Sequence, residues 1–316
     1  MRVLVTGADG FVGRHVVRRL VETGHEVVAA CRPSGQLQSW PAGRWKDAVR
    51  VVPFELADSA GVRPALQEAP SAVIHLAAVA SVREAREDPG RAWEINAAGT
   101  ARLMEGLISA RDRDGSDPVV LVISSAEVYG SGPASPRVET DPLRPRSPYA
   151  ASKAGTEIAA LEAWRRSTLK VIVARPFTHT GPDQRPPYVV PAFVQRLLAA
   201  KAGGPRQVPT GNLQPVRDLL DVRDVVEAYL GLLASGVPGE TYNVARGEGI
   251  TLDDLFRRIA LLVQVDAEPV PDASLLRAGD IPYLVGDATK LRAATGWSPT
   301  ITLDQTLRDM VDAQAH

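Results

Sequence analysis

Tyr149-Ala-Ala-Ser-Lys153, preceded in the chain by Ser124-Ser125-Ala126-Glu127, holds the residue types that move a proton on and off a carbinol or carbonyl oxygen. If Tyr149 opens a helix, Lys153 falls one turn later on the same face. An ammonium there favours the ionised phenol, whose ordinary pKa is about 10. Lowering that pKa by roughly three units takes about 4 kcal/mol, within reach of a charge plus hydrogen bonds in a closed site. The Ser125 hydroxyl, at a neighbouring strand end, would bind the oxygen that exchanges its proton with Tyr149. A tyrosine and a lysine four apart also describe an ordinary amphipathic helix start, so the pair needs a second signal.

That signal stands at the N-terminus. Arg2–Thr6 reads as a short apolar strand, followed by Gly7-Ala8-Asp9-Gly10-Phe11-Val12-Gly13. Val12, Val16 and Leu20 then recur every four residues, with Val17 and Val21 beside them, as a buried helix stripe requires. Gly7 permits a tight turn, Gly10 lets a pyrophosphate approach the backbone, and Gly13 lets the helix pack on the strand. The helix N-terminus faces the phosphates. A dinucleotide cofactor is the expected ligand.

The elements around these residues alternate. Strand-like runs are expected at Arg2–Thr6, Glu26–Ala30, Val49–Phe54, Ala72–Leu76, Val119–Ser124 and Lys170–Arg175. The clearest helices are Phe11–Thr23, Arg91–Ser109 and Tyr149–Ser167. This pattern predicts an α/β fold, a Rossmann-type doubly wound parallel sheet covered on both faces, with ligands at the carboxyl ends of its strands. Gly130–Pro148, rich in Pro, Ser and Gly, reads as a loop. After Arg175 the pattern becomes irregular. Further helices are expected over Phe193–Ala202 and Asp221–Ala234, and behind the capping-box starts Thr251-Leu-Asp-Asp254 and Thr302-Leu-Asp-Gln305. The expected plan is a nucleotide-binding domain over residues 1–176, rejoined by a segment at about 216–243, and a smaller C-terminal substrate-binding lobe over 177–316.

Composition narrows the function classes. In 316 residues, 36 basic side chains nearly balance 37 acidic ones, for a formal charge of −1, so no strong field for nucleic acid or anionic membrane is expected. No apolar run approaches the roughly 20 residues of a membrane span. The first strand begins at residue 1, which leaves no room for a signal peptide, and a cytoplasmic location is expected. Cys31 is the only cysteine, which excludes intrachain disulfides, and His15, His25, His75, His179 and His316 lack metal-ligand spacing; no metal is expected.

The motifs resemble those of the extended short-chain dehydrogenase/reductase family, over nearly the whole chain. They are Gly7-x-x-Gly10-x-x-Gly13, His75-Leu-Ala-Ala78, Asn96-x-x-Gly99-Thr100, Ser125, Tyr149-x-x-x-Lys153, Arg175-Pro176, Gly181-Pro182 and Gly296-Trp297-x-Pro299. The resemblance implies a catalytic set of Ser125, Tyr149, Lys153 and Glu127. It also implies a nicotinamide cofactor lying against Gly7, Gly10, Phe11, Val12, Gly13, Arg32, Leu56, Ala77, Ala78, Asn96 and Pro176, together with Tyr149 and Lys153. Asn96 would mainly hold backbone and site geometry.

The second half is most similar to the subgroup of GDP-4-keto-6-deoxy-D-mannose reductases and GDP-mannose 4,6-dehydratases. The stretches that carry this are His179-Thr-Gly-Pro-Asp-Gln184, Val189-Val-Pro191, Gly211–Asp218 leading into Asp221-Val-Arg-Asp224, and Leu276-Arg277-Ala-Gly-Asp280-Ile-Pro282. By that resemblance a nucleoside-diphosphate sugar, GDP-linked by preference, meets Ser125, Glu127, Thr178, His179, Val190, Arg217, Arg277 and Asp280. The two arginines suit the diphosphate because their planar forks give bidentate bonds. Thr178 stands where the family commonly has Asn, Glu55 where it has Asp, and Asp280 where the guanosine subgroup has Glu. A homodimer through paired helices is implied by analogy, with Arg91–Ser109 and Tyr149–Ser167 as the helices concerned.

Ala30-Cys31-Arg32 ends the second strand without the carboxylate that would hold an NAD ribose, while Arg32 offers a cation for a 2′-phosphate; NADP(H) is the expected cofactor. Cys31 reads as a small spacer. Reduction of a 4-keto-6-deoxyhexose is the expected reaction. A 4,6-dehydratase that cycles its cofactor, a 4-epimerase and a non-catalytic cofactor-binding protein remain as alternatives.

Overall fold

Short, almost wholly apolar strands build the centre of the protein. The structure, a computed structural model, describes residues 1–32, 48–276 and 279–315. Arg277 therefore lies outside the described residues.

β1 (Arg2–Thr6), β2 (Glu26–Cys31), β3 (Val49–Pro53), β4 (Ala72–His75), β5 (Val119–Ile123) and β6 (Val171–Pro176) form one sheet with β10 (Thr241–Val244), all parallel, in the order β10-β6-β5-β4-β1-β2-β3. Val3, Leu4 and Val5, and Val120 through Val122, are inaccessible from either face, because helices cover both. On one face lie α1 (Phe11–Glu22), α8 (Val222–Ser235) and α10 (Thr289–Thr295); on the other lie α2 (Ser59–Leu66), α5 (Gly99–Asp114) and α6 (Pro148–Ser167). The strand order reverses at β1, between β2 and β4. The ligand crevice of such a sheet opens at that switch point, at the strands' carboxyl ends.

A smaller lobe caps those ends. β7 (Thr178–Thr180), β9 (Val216–Asp221), β11 (Gly249–Thr251) and β13 (Tyr283–Leu284) form a second sheet, and β8 (Gln207–Thr210) pairs with β12 (Glu268–Pro271). Here α7 (Val189–Lys201), α9 (Leu252–Val263) and α11 (Leu303–Ala315) bury Phe193, Leu197, Phe256, Ile259 and Met310 against one another. The N-cap half of each expected capping box forms: Thr251 accepts the Asp254 amide at 3.0 Å and Thr302 the Gln305 amide at 3.2 Å.

Three local differences from the sequence reading have physical causes. The return to the large sheet begins at Val222 rather than 216, because β9 pairs inside the small sheet while α8 and β10, and later α10, pack on the large one. β10 itself escapes detection because its four residues carry the buried polar Asn243, which accepts from the Tyr129 hydroxyl at 2.7 Å. The helix expected over Arg91–Ser109 is divided: α3 (Val82–Glu87) leads into α4 (Pro89–Trp93), then a π-helical turn over Glu94–Ala98 precedes α5. Such turns rotate one side chain out of helical phase, and the residue delivered inward here is Asn96.

Candidate active site

The glycine loop follows β1 in the conformation its residue types demand. Gly7 adopts φ +69°, and a Cβ there would meet the Ala77 amide nitrogen at 2.9 Å, so side chains are excluded by backbone and neighbour alike. Gly13 packs so closely that a Cβ would lie 2.2 Å from the Gly7 carbonyl oxygen. Gly10 differs: its missing Cβ would meet only the Gly7 carbonyl, at 3.2 Å, and the residue is exposed. That open side is the space a pyrophosphate needs, so the loop fits a dinucleotide.

Phe11 and Val12 are half-buried at the start of α1, and Phe11 lies parallel to His179, with centroids 6.5 Å apart. Ala77 and Ala78 follow β4 and stay partly accessible. The Ala77 amide donates to Thr6 Oγ1 at 3.1 Å, and Thr6 bonds His75 Nδ1 at 2.8 Å. His75 Nε2 in turn bonds Thr100 Oγ1 at 3.1 Å, which donates to the Asn96 carbonyl at 2.6 Å. Burial, with the Lys153 ammonium second, pushes His75 down to about 3, so the imidazole is neutral and fits a chain of one donor and one acceptor. This strand-end relay was not legible in the sequence beyond the motif spacing. Leu56 is buried behind β3, where the Glu55 carboxylate accepts the Leu56 and Ala57 amides at 2.9 and 3.2 Å. Pro176 ends β6 in the core, and Arg32 stands exposed at the end of β2.

Asn96 is 1% exposed and clamps Val79 through both its amide atoms, accepting from Val79 N at 2.7 Å and donating to Val79 O at 3.1 Å. It also donates to Ser152 Oγ at 2.8 Å. These contacts tie α6 to the loop after β4.

α6 begins at Pro148, capped by Ser147, whose Oγ accepts the Ala150 amide at 3.1 Å. Tyr149 thus occupies the first turn, with the Ser125 hydroxyl near enough to its phenol to favour the ionised form. Glu127 follows Ser125 in a 3₁₀ turn at the carboxyl end of β5 and donates its amide to Ser125 Oγ at 3.2 Å. Its carboxylate acts on Tyr149 as a nearby negative charge, and Tyr188, at the start of α7, approaches the same phenol.

The electrostatics of this trio differ from expectation. Tyr149 is raised above the ordinary phenol value, by burial first and by the Glu127 charge second, with the Ser125 hydroxyl opposing. The expected lowering by Lys153 is absent because the Lys153 ammonium points deeper, donating to the Ile123 carbonyl. Burial lowers Lys153 from 10.5 to about 8, while Glu157 opposes that drop. Tyr149 in this arrangement is a proton donor at neutral pH, with Lys153 seated beneath it.

Glu157 and Arg175, absent from the sequence reading as a pair, complete the base of the site. Arg175 donates Nε and Nη2 to the two carboxylate oxygens of Glu157 at 2.9 and 2.7 Å. Its Nη1 reaches Tyr129 Oη at 2.9 Å and the Glu139 carbonyl at 3.1 Å. Their clue in the sequence is spacing: Tyr149, Lys153 and Glu157 recur every four residues on one face of α6.

Among the residues expected at the substrate, Thr178 and His179 lie on β7, where His179 Nδ1 bonds the Phe177 carbonyl at 2.9 Å. Arg217, on β9, donates Nη1 to the Val216 and Ile281 carbonyls at 2.9 and 2.7 Å, which sets it beside the half-buried Asp280. Val190 does not join them: its side chain is 1% exposed and sits in the lobe's core with Phe193 and Leu197. Among the described residues, no group of three or more His, Cys, Asp or Glu could hold a metal ion, and no helix is long and apolar enough to cross a membrane.

Fold and site together define a nicotinamide-dependent enzyme of the extended short-chain dehydrogenase/reductase class. Residues 4–310 match the family model described as GDP-mannose 4,6 dehydratase, and the chain belongs to that family. It is 36% identical over 312 residues to GDP-6-deoxy-D-mannose reductase of Pseudomonas aeruginosa, covering 97% of this chain and 95% of the relative. The structure of RMD from Pseudomonas aeruginosa complexed with NADPH superimposes with a TM-score of 0.83 at 33% identity, over 99% of this chain and 98% of that one. UDP-glucose 4-epimerase of Thermotoga maritima, solved with UDP-glucose, gives 0.87 at 30% identity, over 100% and 99%.

Proposed function

We propose that the protein is an NADPH-dependent reductase of the C4 ketone of a nucleoside-diphosphate 4-keto-6-deoxyhexose, GDP-4-keto-6-deoxy-D-mannose in the first instance. The observation that carries this reading is the juxtaposition of the Tyr149 phenol with Ser125 and the Glu127 carboxylate, in a chain 36% identical to a reductase of that kind. NADPH would supply the hydride to C4. Tyr149, neutral at physiological pH, gives its proton to the developing alkoxide; Ser125 holds that oxygen; Glu127 accepts hydrogen bonds from sugar hydroxyls. Lys153 donates into the base of the site. Arg217, with Arg277, is assigned to the diphosphate and Asp280 to the nucleoside. A 4,6-dehydratase needs groups to remove the C5 proton and protonate the departing C6 hydroxyl. Ala126, beside Glu127, is buried and supplies neither.

We also propose a homodimer through α5 and α6. Those helices, with α2 and α4, flank a shallow groove of about 1270 Å³. Trp93 and Ile158 are 46% and 67% exposed there, beside the small residues Ala97, Ala101, Gly155 and Ala159.

The reaction is tested by incubating the protein with NADPH and GDP-4-keto-6-deoxymannose, and separately with GDP-mannose alone, following nicotinamide absorbance and sugar products. NADPH loss stoichiometric with keto-sugar reduction supports the reductase. Conversion of GDP-mannose without net oxidation of cofactor identifies a dehydratase instead.

A further inference from the structure

The end of β2 lacks a carboxylate of its own, yet one is delivered there from the glycine loop. β1 and β2 run in register, with Thr6 beside Ala30, and the amides of Gly7 and Ala8 both donate to the Ala30 carbonyl, at 2.9 and 3.4 Å. These bonds pin the loop across the carboxyl end of β2. Asp9 is the next residue; Arg14 Nε holds its carbonyl at 3.0 Å, and the residue is half-buried. Its carboxylate lies near enough to the thiol of Cys31, which is 3% exposed, to act on it as a negative charge. Burial first and that charge second push the thiol up to about 12, so it stays protonated at every working pH. One residue further on, Arg32 is exposed. The strand end that meets the adenosine ribose in this fold therefore carries two opposite charges.

We infer that Asp9 is a cofactor-specificity residue: its carboxylate accepts the ribose 2′-hydroxyl of NAD(H) and repels the 2′-phosphate that Arg32 attracts. The two side chains pull in opposite directions, and the enzyme accepts both cofactors, with Arg32 setting the NADPH preference and Asp9 limiting it. The inference rests on the nicotinamide-site reading and is independent of the sugar. Asp9→Asn keeps the side-chain shape and removes the charge. Repulsion between a carboxylate and a phosphate dianion at a half-exposed site corresponds to about tenfold in affinity.

The test is direct binding of NADH and NADPH, without sugar, by calorimetry on wild type, Asp9→Asn, Asp9→Ser and Arg32→Ala. Asp9→Asn should raise the affinity ratio of NADPH to NADH about tenfold, and Arg32→Ala should lower it. Asp9→Ser serves if the Asn variant does not fold, and should move the ratio the same way. A ratio unchanged within twofold in the folded Asp9 variants, or one moved toward NADH, overturns the inference. Failure to reduce any keto-sugar would refute the proposed reaction and leave this ratio standing.

Discussion

Replacing Lys153 by methionine should separate the stability of the fold from its chemistry. Lys153 is 5% exposed, and burial lowers its ammonium from 10.5 to about 8 despite the Glu157 charge. At about 1.4 kcal/mol for each factor of ten, that drop is worth about 3 kcal/mol. The folded value lies below the unfolded one, so the stabilising contribution is complete above pH 10.5 and lost as pH falls through 8. At pH 7 the lysine is protonated in both states and the fold carries the whole cost. Methionine fills the stem's volume without charge, while the Ile123 carbonyl loses its donor, at a cost of about 1 kcal/mol. Lys153→Met should therefore be about 2 kcal/mol more stable than wild type at pH 7, and inactive. Between pH 7 and 9.5 the wild type should regain about 2 kcal/mol relative to the variant. Urea denaturation of both proteins at the two pH values measures this. Parallel pH profiles, or a variant clearly less stable at pH 7, would refute the reasoning.

Tyr149→Phe removes the proton-donating hydroxyl beside Ser125 and Glu127; turnover should fall at least about a hundredfold, with NADPH affinity by calorimetry unchanged. Arg175→Met leaves the buried Glu157 carboxylate without its guanidinium partner and should cost about 3–5 kcal/mol in urea denaturation, whereas Glu157→Gln with Arg175→Met should recover most of that loss. If the double variant is no more stable than Arg175→Met alone, the pair's charge is not what the fold depends on. Ile158→Arg places a charge on the 67% exposed helix position and should convert a dimer to a monomer in sedimentation velocity; an unchanged mass would move the interface elsewhere.

Much of the scaffold was legible because its information is local. The six strands expected from short apolar runs all occur within a residue or two of their expected limits. The alternation of Val12, Val16 and Leu20 marks a helix face that is buried on the sheet. Glycine spacing exposed the turn at Gly7, since φ near +69° and a neighbour at 2.9 Å tolerate little else. Thr251 and Thr302 announced their helices through side-chain caps that need only three residues to close. The Tyr149/Lys153 spacing placed both residues on one helix face, and the capped start at Ser147 put Tyr149 in its first turn.

Direction and partnership were another matter, because they depend on chain segments far apart in sequence. Lys153 could be put on the right face of α6 from its spacing alone, but the choice between Tyr149 and the Ile123 carbonyl belongs to β5, which lies behind the helix. The sign of the Tyr149 shift followed from burial first and from the Glu127 charge second. Asn96 needed a π turn to face Val79 and Ser152, and Val190 was drawn into a core made by three separate helices. Asp9 carries no strand-end signature in the sequence, since only the pairing of β1 with β2 brings it over Cys31. Residue types and their spacing determined which groups this protein owns and which element carries each. Tertiary packing decided what each group faces, and therefore its charge state, because desolvation and partner charges act through space across strands joined only by the fold.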